Sequence, residues 1–187
     1  KEFEKLVNLK RIGAIITKTI TLNPRQGNPM PRICETAAGM LNTIGLQNEG
    51  VDNFLKEKMP YLSGIGAPII VSISGNNIDE FFILARRLNK IKEISGIELN
   101  ISCPNIKCKG LVAQDKKETY EVVKAVRKIT NKTIITKLSP NVTDIVDIAK
   151  TAEDAGSDAV SLVNTFIGMA IDVETGKSKL GNITGGL

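Results

Sequence analysis

Glu98-Leu99-Asn100-Ile101-Ser102-Cys103-Pro104-Asn105 decides how the rest of the chain is read. Gly96, Ile97 and Leu99 lead into it as a strand, and Pro104 forbids further ladder pairing. Two carboxamides, a hydroxyl and a thiol then crowd into the six residues 100–105. Such a strand end packs poorly. In a parallel α/β protein it is the place where active-site residues gather.

Working outward, the neighbouring segments repeat the same grammar. Residues 68–73 (PIIVSI), 133–138 (TIITKL) and 159–164 (AVSLVN) are short apolar runs, and 12–20 (IGAIITKTI) is a longer one rich in β-branched residues. Continuous apolar runs predict strands buried on both faces. Helical stripes separate them. Asn77 caps a segment reaching about residue 92, with Phe81, Phe82, Leu84, Ala85 and Leu88 on one face. Residues 115–130 carry Val122, Val123, Ala125, Val126 and Ile129, and residues 142–155 follow with Asp144 near the start, where the helix dipole favours it. Residues 1–10 read as the end of a helix, and 51–60 as a short helix closed by Pro60. Three prolines and a glycine in 21–32 exclude a helix there, and 38–50 reads as irregular at its glycines. The tail suggests a hairpin around Glu174-Thr175-Gly176. Alternating strands and helices imply a parallel sheet. Five strands do not close an eight-stranded barrel, and no GxGxxG follows any strand, so the expectation is a piece of a longer protein.

Composition excludes several functions. The chain has 187 residues, 42% hydrophobic and 24% charged, which fits one globular domain over 1–187. No apolar run approaches the roughly 18 residues of a membrane span, and a secretory leader is not expected. The net charge of +5 is scattered and aromatics are 4%, so nucleic-acid binding is not expected. Three cysteines without zinc-ligand spacing fit reduced thiols and a cytoplasmic setting. There is no histidine. Acid–base chemistry therefore falls to Cys, Lys, Asp, Glu or Tyr.

Each strand delivers polar groups near its C-terminal end: Lys18, then Asn100 and Cys103, Lys137, and finally Asn164 and Thr165. Asn42 lies in the glycine-flanked LNTIG segment. In a barrel these ends converge, so Lys18, Asn100, Lys137 and Asn164 are expected to share a pocket. A single lysine near a strand end ordinarily snorkels to water. Two within apolar strands point instead to an anionic ligand, because a buried ammonium without a partner is costly. Cys103, flanked by Asn100, Ser102 and Asn105, reads as a reactive thiol, whereas Cys34 reads as packing and Cys108 as a loop residue.

The segments TKTITLNPRQGNPMPRICET, GMLNTIGLQNEGV, ELNISCPNIKCKG, TKLSPNVTDI, VNTFIGMAIDVETGK and NITGGL together resemble the class 1B dihydroorotate dehydrogenases. That resemblance implies an FMN-containing (β/α)8 TIM barrel of pyrimidine biosynthesis, with about five of its eight βα units in this chain. It implies oxidation of dihydroorotate to orotate, the C5 proton going to a cysteine base and the C6 hydride to flavin. The matching base is Cys103. Lys18, Asn42, Gly45, Leu46, Asn100, Asn105, Asn164 and Thr165 match substrate-binding positions. Lys18, Thr19, Ser72, Asn100, Lys137 and Val163 match cofactor-binding positions, with Ser72 standing where many relatives carry asparagine. The implied partners are a second copy and an iron–sulfur and FAD (2Fe-2S) electron-transfer subunit that passes electrons to NAD. No metal site is implied in this chain. The glycine-rich phosphate loops of the last strands are absent from the sequence, so these residues alone are expected neither to hold FMN tightly nor to turn over. Competing readings are a dihydropyrimidine dehydrogenase-type flavoprotein, a fumarate-using class 1A enzyme and a flavin-free barrel remnant acting as a binding module.

Overall fold

The computed structural model describes residues 6–37, 39–102 and 112–187. Cys103, Asn105 and Cys108 lie outside the described residues.

Five parallel strands form the main sheet: β1 (Ile15–Ile16), β4 (Ile69–Ile73), β5 (Ile94–Asn100), β6 (Thr133–Lys137) and β7 (Ala159–Ser161), in that spatial order. Three helices cross between successive strands: α3 (Ile78–Asn89), α4 (Lys116–Arg127) and α5 (Ile145–Asp154). Each begins at a side-chain cap. Asn77 accepts from Glu80 N, Asp115 from Glu118 N, and Asp144 from Val146 N and Asp147 N. These caps satisfy backbone donors that the helix itself leaves unpaired. Phe81, Leu84, Ala85 and Leu88 of α3 are fully buried, as are Val122, Val123 and Val126 of α4. They pack with Val71, Ile73, Ile97, Leu99 and Ile134 of the sheet. Phe82 stays at the helix edge, where the Arg86 guanidinium lies 5.8 Å from its ring centre.

Side chains alternate across a strand, so this apolar set leaves the other face to Ser72, Ser74, Glu98, Asn100 and Lys137. The register confirms the sharing of that face: Ser72 pairs with Glu98, Glu98 with Ile135, and Asn100 with Lys137.

Four expectations are corrected. The segment 12–20 is not a strand buried on both faces. Only Ile15–Ile16 is regular, it sits at the sheet edge, and Ile16 is 48% exposed. Pro60 does not close its helix. α1 (Gly50–Asn53) runs through a π-helical stretch, Phe54–Lys58, into α2 (Met59–Ser63), where Pro60 occupies the first turn. A proline is tolerated in a first turn because its missing N–H is not needed there. The segment before α1 is also more ordered than its glycines suggest. β2 (Ile33–Thr36) and β3 (Gly39–Asn42) form an antiparallel hairpin. This hairpin continues into β9 (Gly185–Gly186) and β8 (Ile167–Gly168), giving a second, four-stranded sheet. Between β8 and β9 the tail turns back at 172–177, where Asp172 N donates to Lys177 O and Gly176 N to Asp172 O, and Ile171 bridges Ser178. Residues 9–11 form a short 3₁₀ turn where a helix end was expected.

Candidate active site

The first strand reaches the site through an irregularity. Ile16 pairs with Ile70, but Ile20 pairs with Ile73, so one extra residue lies on the first strand between the two pairs. Such a bulge re-aims side chains. Here it turns Thr19 toward Ser72, with their hydroxyl oxygens 2.9 Å apart.

Thr19 is then joined to β5. Asn100 Nδ2 donates to Thr19 Oγ1 at 3.1 Å, and Asn164 Nδ2, just beyond β7, donates to Asn100 Oδ1 at 3.1 Å. Below them Ser72 Oγ and Ser161 Oγ each donate to one oxygen of Glu98, both at 2.8 Å. Ser74 Oγ donates to Asn100 O at 3.0 Å. Glu98 and Asn100 are only 4% and 6% exposed. A buried carboxylate needs compensation, and the two hydroxyls supply it. Lys137, half-buried beside Asn100 in the ladder, has no ion-pair or hydrogen-bond partner for its ammonium among the described residues. Ser102 Oγ approaches Lys137 O at 3.4 Å.

The structure therefore brings together Thr19, Ser72, Asn100, Lys137 and Asn164. Val163 and Thr165 flank Asn164 and are exposed, Val163 at 36%. Lys18 is not part of the cluster, contrary to the expectation of a shared pocket. Its side chain is exposed, and it lines a cavity of about 1230 Å³ with Arg25, Gln47, Asn53, Glu57 and Tyr61. The bulge accounts for this: it turns Thr19 toward Ser72 and leaves its neighbour Lys18 exposed.

Asn42, Gly45 and Leu46 belong to a second group, fastened to the smaller sheet. Asn42 Nδ2 donates to Gly186 O at 3.2 Å. A Cβ at Gly186 would overlap the Thr165 side chain, so the tail lies directly between Asn42 and Thr165. Gly45 and Leu46 both adopt left-handed backbone, with φ of 75° and 53°. A Cβ at Gly45 would sit 2.7 Å from Asn28 N. Asn48 holds this turn: it donates to Leu46 O at 2.7 Å and Thr21 Oγ1 at 2.9 Å, and accepts from Gly50 N at 2.9 Å. Arg32 fastens the facing loop through Gln47 Oε1 at 2.7 Å and Gln26 O at 2.8 Å.

Glu98, Ser161, Asn48 and Arg32 were not singled out from sequence. A signal existed for Glu98: a charge two residues before Asn100 in a buried strand must share its face.

The dihydroorotate dehydrogenase family model matches residues 1–187. Curated relatives include the dihydroorotate dehydrogenase B (NAD(+)) catalytic subunits of Geobacter metallireducens and Geobacter sulfurreducens. Each is 54% identical across 100% of this chain, which covers 62% of each relative. The chain belongs to the dihydroorotate dehydrogenase family. It spans about 62% of the length of those relatives. A dihydroorotate dehydrogenase from Eimeria tenella, solved with ferulenol, superposes with a TM-score of 0.67 over 95% of this chain and 56% of that one, at 21% identity. That likeness fixes the fold: the curled parallel sheet and its helices are part of a (β/α)8 barrel. No helix among the described residues is long and apolar enough to cross a membrane, and no cluster of metal-ligating side chains occurs among them.

Proposed function

We propose that the protein carrying this chain oxidises dihydroorotate to orotate for pyrimidine biosynthesis, with FMN in the barrel mouth. The observation that carries this reading is the amide pair of Asn164 with Asn100, which ends the strand before Cys103 in the sequence and lies beside Lys137. The family is FMN-dependent, and the relatives' names supply NAD as acceptor.

The donor set suits the flavin. Thr19, Ser72 and Asn100 offer hydroxyl and amide groups to a ring rich in carbonyl and N–H groups. Lys137 provides a fixed positive charge where negative charge develops. Bound FMN supplies the hydride acceptor. The chain's own residues do the rest. Asn42, Asn100, Asn105 and Asn164 orient the pyrimidine, since each amide pairs with both donor and acceptor edges. Gly45 and Leu46 bring backbone close to the ligand, and Thr165 borders it. Lys18 contributes charge from the outer rim, and Val163 packs along the cofactor. Cys103, as thiolate, takes the C5 proton. Electrons pass on through an iron–sulfur and FAD subunit to NAD, and the catalytic chain pairs with a second copy. A cytoplasmic location completes the reading.

The test uses the full-length protein with its electron-transfer partner. Dihydroorotate, and not dihydrouracil, is oxidised, with NAD rather than fumarate as acceptor. Cys103→Ser lowers turnover at neutral pH by about 100-fold or more, the usual worth of a general base, while flavin stays bound. Unchanged turnover would rule out Cys103 as the base. Oxidation of dihydrouracil in preference would favour the dihydropyrimidine dehydrogenase type.

A further inference from the structure

The polar face of the main sheet contains a run of hydrogen bonds with a single direction. Thr165 N donates to Asn164 Oδ1 at 2.9 Å, and Asn164 Nδ2 donates to Asn100 Oδ1 at 3.1 Å. Asn100 Nδ2 donates to Thr19 Oγ1 at 3.1 Å, Thr19 and Ser72 share a contact of 2.9 Å, and Ser72 Oγ donates to Glu98 Oε1 at 2.8 Å. A backbone N–H can only donate, and a carboxylate can only accept. With the Ser72 proton committed to Glu98, the Thr19 proton must go to Ser72. The direction of every bond is then set from both ends.

We propose that Glu98 is a positioning residue that fixes the donor and acceptor pattern Asn100 and Asn164 present to the ligand, and so the face of the site that reads a pyrimidine ring. The inference rests on the dihydroorotate reading above. Glu98 itself is 4% exposed and acts through Ser72 and Thr19. After the chain is satisfied, Asn100 retains one N–H and one oxygen lone pair, and Asn164 retains the same pair. Two amides held this way match a ring whose edge alternates carbonyl and N–H. Without an acceptor at position 98, the Ser72 proton turns to Thr19. The Thr19 proton then loses its partner and faces the ligand as an extra, unmatched donor. An unpaired donor in a buried site costs far more than a bond there gains. Ser161, bonded to the second oxygen, keeps the carboxylate aimed at Ser72.

The experiment measures orotate affinity by calorimetry, with flavin content and melting midpoint, in the full-length flavoprotein. Glu98→Leu weakens orotate binding about tenfold, the scale of one misplaced buried hydrogen bond, while flavin content holds. Ser72→Ala produces a similar loss. The double variant is no worse than the weaker single, because both act on one chain of bonds. Glu98→Gln, whose amide oxygen still accepts from Ser72, recovers affinity to within about threefold of wild type, as expected when only the charge of an acceptor is removed. Losses that add independently, or orotate affinity in Ser72→Ala within twofold of wild type, would overturn the proposal. Should Glu98→Leu fail to fold, Ser72→Ala and Glu98→Gln decide it. A wild-type protein that binds flavin but no orotate would overturn both this inference and the dihydroorotate reading; a wild type that binds orotate, with variants that bind it equally, overturns this inference alone.

Discussion

The two sheets of this molecule are held by different means. The five-stranded parallel sheet is buried under three capped helices, and its central residues Val71, Ile73, Ile97, Leu99 and Ile134 are fully enclosed. The four-stranded antiparallel sheet has strands of two to four residues. It leaves Ile33, Met40, Phe166, Ile167 and Met169 at least half exposed. One region is stabilised by apolar burial between elements adjacent in sequence. The other is closed by pairs such as Asn42 with Gly186, far apart in the chain, and by side-chain clamps at Asn48 and Arg32. The difference separates two tasks. The parallel sheet carries the cluster of hydroxyl and amide groups on a packed floor, and the small sheet leads into the left-handed turn at Gly45 and Leu46.

Replacing one aliphatic residue in each region gives the sharpest contrast. Leu84→Ala is expected to cost about 2–5 kcal/mol, through lost burial and a cavity between α3 and the sheet. Ile33→Ala, on an exposed strand, is expected to stay within about 0.5 kcal/mol. Denaturant melts of the full-length protein compare them; equal losses would break the distinction. Gly45→Ala is the next largest effect. Its left-handed backbone and the close Asn28 N make the substitution cost more than about 1 kcal/mol. On the proposed role of this turn in substrate binding, orotate affinity is expected to fall with it, whereas a stability loss with unchanged affinity would separate this turn from the ligand.

The smallest effect is that of acid. The Lys116 ammonium, by hydrogen bond and then by charge, lowers the Asp147 carboxyl below its ordinary 3.8. In the antiparallel region, hydrogen bonds from Thr175 do the same for Asp172. A lowered folded-state pKa means the contribution is present above about pH 4 and is lost as pH falls through the folded value. Both carboxylates are exposed, so screening keeps each contribution small. Melting midpoints of wild type and Asp147→Asn are therefore expected to converge between pH 5 and pH 3, roughly the window around an ordinary carboxylate. A gap that widens as pH falls would reverse the sign of this account.

Much of the parallel half was legible in the sequence. The cap at Asn77 and the stripe through Phe81, Leu84 and Leu88 act within one helical turn or two, so local pattern sufficed, whereas Asp144, expected inside a helix from 142, is instead the cap of α5. Strand ends at Asn100 and Lys137 were legible for the same reason, since a polar residue after an apolar run marks a boundary, whereas the run expected to reach Asn164 pairs only through Ser161. The β2–β3 hairpin was hidden because its glycines and polar residues carry no burial pattern, and its sheet depends on a tail more than 140 residues away. Lys18 was misplaced because an apolar, β-branched run gives no sign of the extra residue between Ile16 and Ile20.

The NISCPN stretch shows where the division falls. By itself the sequence determined that a strand ends there in a thiol, a hydroxyl and carboxamides, because alternation and proline are local constraints. Only the tertiary structure decided which groups share the polar face: an extra residue in the first strand turned Thr19 to Ser72, and register set Ser72 beside Glu98. Those relations depend on pairing between distant segments, and a one-residue slip would send each side chain to the opposite face.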